Sequence, residues 1–215
     1  MSPQRHVLII HGLAETALWM SAVGAALASN GFYVHFLDYP STTDTIEKLS
    51  ENYLHKAVER LRSVERLDIV GHSMGAVMLR YYLHARGIPN LGRAVMLAPG
   101  NAGSRILTYL GRLPLYSALM GPAARQSADD EGCFACGLPP KLSADFGVIA
   151  GCLPLDPFAF LAAPEPNDGR VTVQSTRLQG MRDHLVVAAS HETILFHPVA
   201  ILQTICFLQT GKFVR

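Results

Sequence analysis

Along the first hundred residues, short apolar runs alternate with longer stretches of helical spacing. Residues 6–10 (HVLII), 32–37 (FYVHFL), 66–70 (RLDIV) and 93–98 (RAVMLA) are rich in β-branched and aromatic side chains. Each is short and stops at a turn former or a small residue, as strands do. Between them, residues 17–29, 45–63 and 74–85 carry apolar positions at helical period. In the second of these, Ile46, Leu49, Tyr53, Leu54, Ala57, Val58 and Leu61 fall on one face. Asn30-Gly31 and Arg86-Gly87 are helix stop signals, because glycine adopts the left-handed conformation that closes a helix.

The pattern then loosens. Residues 104–120 read as one or two short helices broken at Pro114, and 121–144, rich in glycine, proline and small residues, as an irregular excursion. Residues 145–150 (DFGVIA) and 183–188 (DHLVVA) read as two further strands. Residues 153–167 hold Pro154, Pro157, Pro164 and Pro166 and predict a loop. A short helix is expected at 172–178 and a final one at 197–208, closed by Gly211.

Six strands alternating with helices, several of them continuously apolar, define an α/β protein. Its sheet is mostly parallel and covered by helices on both faces. Crossovers in such a sheet are right-handed, and ligands bind beyond the carboxyl ends of its strands. No internal repeat or linker divides the 215 residues, so one domain spanning 1–215 is expected, with 101–144 as an insertion.

Composition removes several function classes. Lys plus Arg is 18 and Asp plus Glu is 17, a net charge of +1 with no run of like charge. That is no footprint for nucleic acid or an anionic membrane. No apolar run approaches the ~20 residues of a spanning helix. Nor does the N-terminal stretch show the ~7–15 apolar residues of a signal peptide, so the expected address is cytoplasmic. Cys133-Phe-Ala-Cys136 has redox or metal spacing, but it lies in the irregular stretch and lacks a second ligand pair. Its thiols, with Cys152 and Cys206, are read as incidental.

The chemistry concentrates just after the strands. Gly71-His72-Ser73-Met74-Gly75 joins the third strand to a helix. G-x-S-x-G in strand-turn-helix context forces the serine into a sharp turn that exposes its hydroxyl at a helix N-terminus. There the helix dipole favours developing negative charge, and the Met74 amide is placed to meet an oxyanion. His11-Gly12-Leu13 follows the first strand, and the Leu13 amide is the expected second donor. His11, Gly12 and His72 are expected beside the substrate, His11 chiefly as a brace of its loop.

A serine nucleophile needs a base and an orienter of that base. His191 stands directly after the last strand, whereas His184 begins that strand and His197 lies beyond it. Asp168, beside Gly169 in a turn, is the expected acid, ahead of Asp156 and Asp183. The plainer reading of any one of these aspartates is a turn former or helix cap.

In order and spacing, His11-Gly12-Leu13, Asp38-Tyr39-Pro40-Ser41, Gly71-His72-Ser73-Met74-Gly75, Asn167-Asp168-Gly169 and Ser190-His191 resemble the α/β-hydrolase superfamily. The branch they resemble is the small lipase- and esterase-like one. The resemblance covers nearly the whole chain. It implies an α/β-hydrolase fold and a serine hydrolase of carboxylic esters, acting on small acyl esters without cofactor or metal. Ser73, Asp168 and His191 would be its triad, and Leu13 and Met74 its oxyanion amides. The segment 101–144 falls where the superfamily inserts its lid, and Ile106, Leu107, Leu110, Leu113, Leu115, Leu119 and Met120 give it an apolar face. Ala14-Glu15 departs from relatives that carry further glycine there, which puts substrate size in question.

Other chemistries fit less well. His191-Glu192 does not continue to H-E-x-x-H, because position 195 is leucine, and no phosphate-binding glycine loop follows a strand. Acyl transfer to another acceptor, thioester or amide cleavage, and a non-catalytic binding role stay open.

Overall fold

The computed structural model describes residues 4–155 and 165–215. Six parallel strands form one sheet in the order β2-β1-β3-β4-β5-β6. They are β1 (Arg5–Ile10), β2 (Phe32–Leu37), β3 (Leu67–His72), β4 (Leu91–Leu97), β5 (Phe146–Gly151) and β6 (Asp183–Val187). All six sit where the apolar runs placed them.

Strand alternation divides the core into two layers. Leu8 and Ile10 of β1, Ile69 of β3, Met96 of β4 and Val148 of β5 point to one face. Val7, Ile9, Val70, Val95, Leu97 and Ile149 point to the other. The first face is covered by α2 (Ile46–Leu49), its continuation through a wider π-type turn into α3 (His55–Arg60), and α4 (Met74–Ala85). The second is covered by α1 (Ser21–Ser29), entered through a 3-10 turn at Ala17–Met20, and by α8 (Pro198–Thr210). Gly211 closes α8 at φ 82°, the left-handed cap its sequence predicts.

The segment after β4 is more ordered than its composition suggests. It holds α5 (Arg105–Leu110), α6 (Pro114–Gln126) and the short α7 (Phe134–Gly137). Pro114 starts α6, as the lack of a donor at a first helical turn allows. The helix kinks at Gly121, where φ is 71° and an added Cβ would run into the Thr42 carbonyl. Beyond the kink, Gln126 accepts from the Ile46 amide at 2.7 Å and donates to Glu47 at 2.7 Å, so α6 caps the start of α2.

Three expectations change. The apolar face read in 101–144 divides: Ile106 and Leu110 are buried, whereas Leu113, Leu115 and Leu119 are exposed. Helical spacing does not say which side meets a core. Residues 172–178 make turns held by Thr172, not a helix. Cys133 and Cys136 are joined in a disulfide, with Cα atoms 5.3 Å apart, rather than being incidental thiols. The tight turn that starts α7 brings the two together. The 153–167 loop lies partly outside the described residues, and Asp156 with it. Among the described residues, no helix is long and apolar enough to cross a membrane.

Candidate active site

The site lies at the carboxyl ends of β1, β3, β5 and β6. Ser73 follows β3 directly, with φ 51° and ψ −123°. A side chain in this region costs about 1–3 kcal/mol, so the surroundings must hold it. They do so through the Ser73 amide, which donates to the Leu97 carbonyl at 2.9 Å. The flanking glycines make the turn possible. A Cβ on Gly75 would strike the His11 carbonyl, and one on Gly71 would come within 2.9 Å of the Ala76 Cα.

Three side chains from distant parts of the chain meet there. Ser73 Oγ lies 2.8 Å from His191 Nε2, and His191 Nδ1 lies 2.8 Å from Asp168 Oδ2. A carboxylate only accepts, so Nδ1 carries the proton and Nε2 is left to accept from the serine hydroxyl. The other carboxylate oxygen of Asp168 accepts from the amides of Arg170 at 2.9 Å and Val171 at 2.8 Å. The Asp168 carbonyl also accepts from the His191 amide at 2.9 Å. Gly151, at the end of β5, leaves room for this turn, since a Cβ there would approach the Asp168 Cβ to 2.8 Å.

His191 titrates above the ordinary imidazole value. Burial pushes it down, but the charge and hydrogen bond of Asp168 outweigh burial, and Glu192 and Glu15 add to the rise. The other candidate aspartate within the described residues, Asp183, turns to the opposite end of β6, where it accepts from the Phe213 amide. His184, on the strand itself, bonds Thr176 at 3.0 Å and is pushed down to about 4 by burial and Arg177.

The Met74 amide belongs to the first turn of α4, where helix geometry offers it no intrahelical acceptor. On the loop after β1, the Gly12 amide donates to Glu15 Oε2 at 2.8 Å and the Ala14 amide to Ser41 Oγ at 2.9 Å. The Leu13 amide lies between these two committed donors.

A cavity of about 280 Å³ opens against Ser73 and His191. Leu13, Met74, Val77, Leu107, Met120 and Val171 give it a largely apolar wall. His11, Gly12 and His72, expected beside the substrate, do not line it. His11 and His72 are both 0% exposed, behind the wall. His11 stacks on Tyr39 with centroids 4.2 Å apart, accepts from the Tyr39 amide at 3.3 Å and lies 2.9 Å from the Gly12 carbonyl. Burial holds its titration below the ordinary value. The imidazole is thus a brace of the loop.

Sequence reasoning noted Glu15 only as a departure bearing on substrate size and missed its pairing. Its side chain reaches the cavity wall, accepts from the Gly12 amide and pairs with His72 at 3.0 Å. The signal was a charged residue in a loop otherwise built of small and apolar ones. Among the described residues, no group of three or more His, Cys, Asp or Glu is arranged to hold a metal ion.

The fold, with this hydroxyl–imidazole–carboxylate row at the carboxyl ends of its strands, is that of an α/β-hydrolase. A family model described as serine aminopeptidase, S33, matches residues 1–126, and the chain belongs to that family. A search of curated protein sequences returns no match. Among solved structures, the mature lipase BlEst2 of Bacillus licheniformis superposes with a TM-score of 0.72 at 17% identity, covering 99% of this chain and 94% of that one. The phospholipase PlaB of Legionella pneumophila gives a TM-score of 0.72 at 17% identity, over 98% of this chain and 60% of that one. A structure described under the metagenome-derived lipolytic enzymes LipS and LipT gives 0.69 at 16% identity, over 96% and 94%. At these identities the likeness is one of fold.

Proposed function

We propose that the protein is a serine hydrolase of carboxylic esters acting through an acyl-enzyme. The observation that carries this reading is the row from Ser73 through His191 to Asp168, with both hydrogen bonds at 2.8 Å and the serine facing an apolar cavity. His191 takes the hydroxyl proton as Ser73 attacks the ester carbonyl. Asp168 holds the tautomer and stabilises the imidazolium. The amides of Leu13 and Met74 receive the oxyanion, each donor typically worth about 10²–10³ in rate. His191 then protonates the departing alcohol, and a water activated by the same imidazole releases the acid. The segment 101–144 supplies the acyl wall through Leu107, Tyr116 and Met120. We read it as a short cap over a fairly open site.

The family description favours a second reading, peptide cleavage from the amino terminus. Such an enzyme must hold a substrate ammonium near the scissile bond. The two carboxylates that line the cavity are already engaged, Glu15 by His72 at 3.0 Å and Glu192 by Arg170 at 3.4 Å. The apolar wall instead suits an acyl chain.

A fluorophosphonate probe, mapped by peptide mass, tests the nucleophile. One adduct on Ser73 is expected, absent in Ser73→Ala. A folded protein that takes no adduct would overturn the catalytic reading in favour of ligand binding. Panels of p-nitrophenyl esters and aminoacyl p-nitroanilides then separate the two activities, and added alcohols or thiols reveal acyl transfer.

A further inference from the structure

At the cavity wall, with its imidazole behind it, lies a second carboxylate–imidazole pair that the reaction above does not use. His72 is 0% exposed, and the Glu15 side chain is 10% exposed. His72 Nδ1 lies 3.0 Å from both Glu15 oxygens. His72 Nε2 lies 3.0 Å from the main-chain carbonyl of His191. A carboxylate and a carbonyl both accept and neither donates. A neutral ring has one N–H and would leave one of these two contacts facing a lone pair. Only the ring with both protons satisfies both.

We infer that His72 is held as an imidazolium by Glu15, and that this buried ion pair sets how the oxyanion loop, the nucleophile and the base stand relative to one another. The inference deepens the ester-hydrolase reading and rests on it for its catalytic part. The connections are direct. Glu15 accepts from the Gly12 amide, one residue before Leu13. His72 precedes Ser73 in the chain. Its other nitrogen donates to the backbone of His191 across a sequence separation of 119 residues. Three loops, after β1, β3 and β6, thus close on one ring. Gly12 leaves the space, since a Cβ there would come within 3.1 Å of Glu15 Oε2, His72 Nδ1 and Ser73 Cβ.

The surroundings agree. Burial alone would raise the Glu15 carboxyl, yet the charge and hydrogen bond of His72, with the Gly12 amide and the charge of His191, hold it at about 2. The titratable groups facing His72 are Glu15 on the β1 loop, His11 at the end of β1 and the His191 ring, tilted with its centroid 4.9 Å away. Glu15 and His72 are positioning residues, since neither touches the reacting atoms.

Glu15→Gln separates charge from shape. The amide can accept from Gly12 and donate to His72 Nδ1, while a neutral His72 still donates from Nε2 to the His191 carbonyl. Every contact survives without charge. The first measurement is the ¹⁵N spectrum of the imidazole rings at neutral pH. In the wild type, both His72 nitrogens are expected to be protonated; in Glu15→Gln, one is expected bare. A bare His72 nitrogen in the wild type overturns the inference, and this reading needs no substrate. If Ser73 also failed to take the phosphonate, only the catalytic reading would fall.

The second measurement is turnover of an activated ester. With KM within about twofold, kcat of Glu15→Gln is expected to fall about tenfold, the scale of a small misplacement of reacting groups. Equal kcat in the two proteins would overturn the positioning role.

Discussion

Among the described residues, two buried carboxylate–imidazole pairs stand a few ångströms apart and face different partners. In Asp168–His191 the far nitrogen faces a hydroxyl at 2.8 Å, a group that both gives and takes a proton. In Glu15–His72 the far nitrogen faces a carbonyl at 3.0 Å, which only accepts. The first ring can therefore relay a proton, and the second can only hold one. The same two side-chain chemistries become a reacting pair or a fastener according to the third atom in the row. Counting histidines beside acids does not distinguish them; the partner of the second nitrogen does.

The sharpest way to break the comparison is at the nucleophile. Ser73→Ala should lower ester turnover by about 10⁴-fold or more, because triad members act as a unit. Retention of activity in a purified variant would remove the reacting pair from the comparison. Next is Asp168→Asn, which leaves the His191 ring free to take the wrong tautomer. It should cost about 10³–10⁴-fold in kcat, far more than Glu15→Gln. Similar losses in the two variants, measured side by side, would mean that the pairs are not functionally distinct.

The pH dependence sharpens the contrast. In the proposed reaction His191 must be neutral to act; burial lowers its titration, but the charge and hydrogen bond of Asp168 outweigh burial and raise it. kcat/KM should therefore fall as pH drops through a value above the ordinary imidazole range. Because the folded value is raised, imidazolium formation also stabilises the fold. That contribution is complete below the unfolded imidazole value and is lost as pH rises through the folded one. The Tm gap between wild type and Asp168→Asn should thus be wider at acidic than at alkaline pH.

The smallest effect is expected from Glu192→Gln. Its bond to Arg170 is 3.4 Å long, with the two side chains 39% and 30% exposed. Such a pair is worth about 0–1 kcal/mol. Ester turnover within about threefold of wild type would show that a carboxylate next to the base in sequence matters less than one fastened behind it.

Much of this was legible in the sequence. The strands were, because most of them are short apolar runs bounded by turn formers, as strands of a covered parallel sheet tend to be. Ser73 was legible because the motif and its strand-turn-helix context are contiguous. His191 was legible from its place after β6. Asp168 was less so, since its role depends on where the turn after β5 returns, which local residues do not encode. Glu15 stood out only as a charged departure in its loop, and its pairing was not legible. Its partner is 57 residues away, and nothing near it demands a carboxylate. The layout of α5 to α7 was equally hidden, because it is decided by tertiary contacts such as Gln126 with α2 and Gly121 against Thr42. The same holds for the disulfide, whose spacing was seen but whose pairing required the turn of α7.

The position of β6 carries a further consequence. It is an edge strand, bonded only to β5, and His191 stands just past its end. Its serine partner lies 118 residues earlier, just past the end of central strand β3. Edge elements open at lower free energy than the centre of a sheet. On warming, the base should leave the serine before the rest of the core melts, so loss of activity should precede loss of ellipticity. Amide exchange in β6 should be faster than in β3, and an acyl group trapped on Ser73 should be hydrolysed in step with that opening and closing. The enzyme's thermal limit would then be set by how firmly its last strand is attached, not by the stability of the domain as a whole.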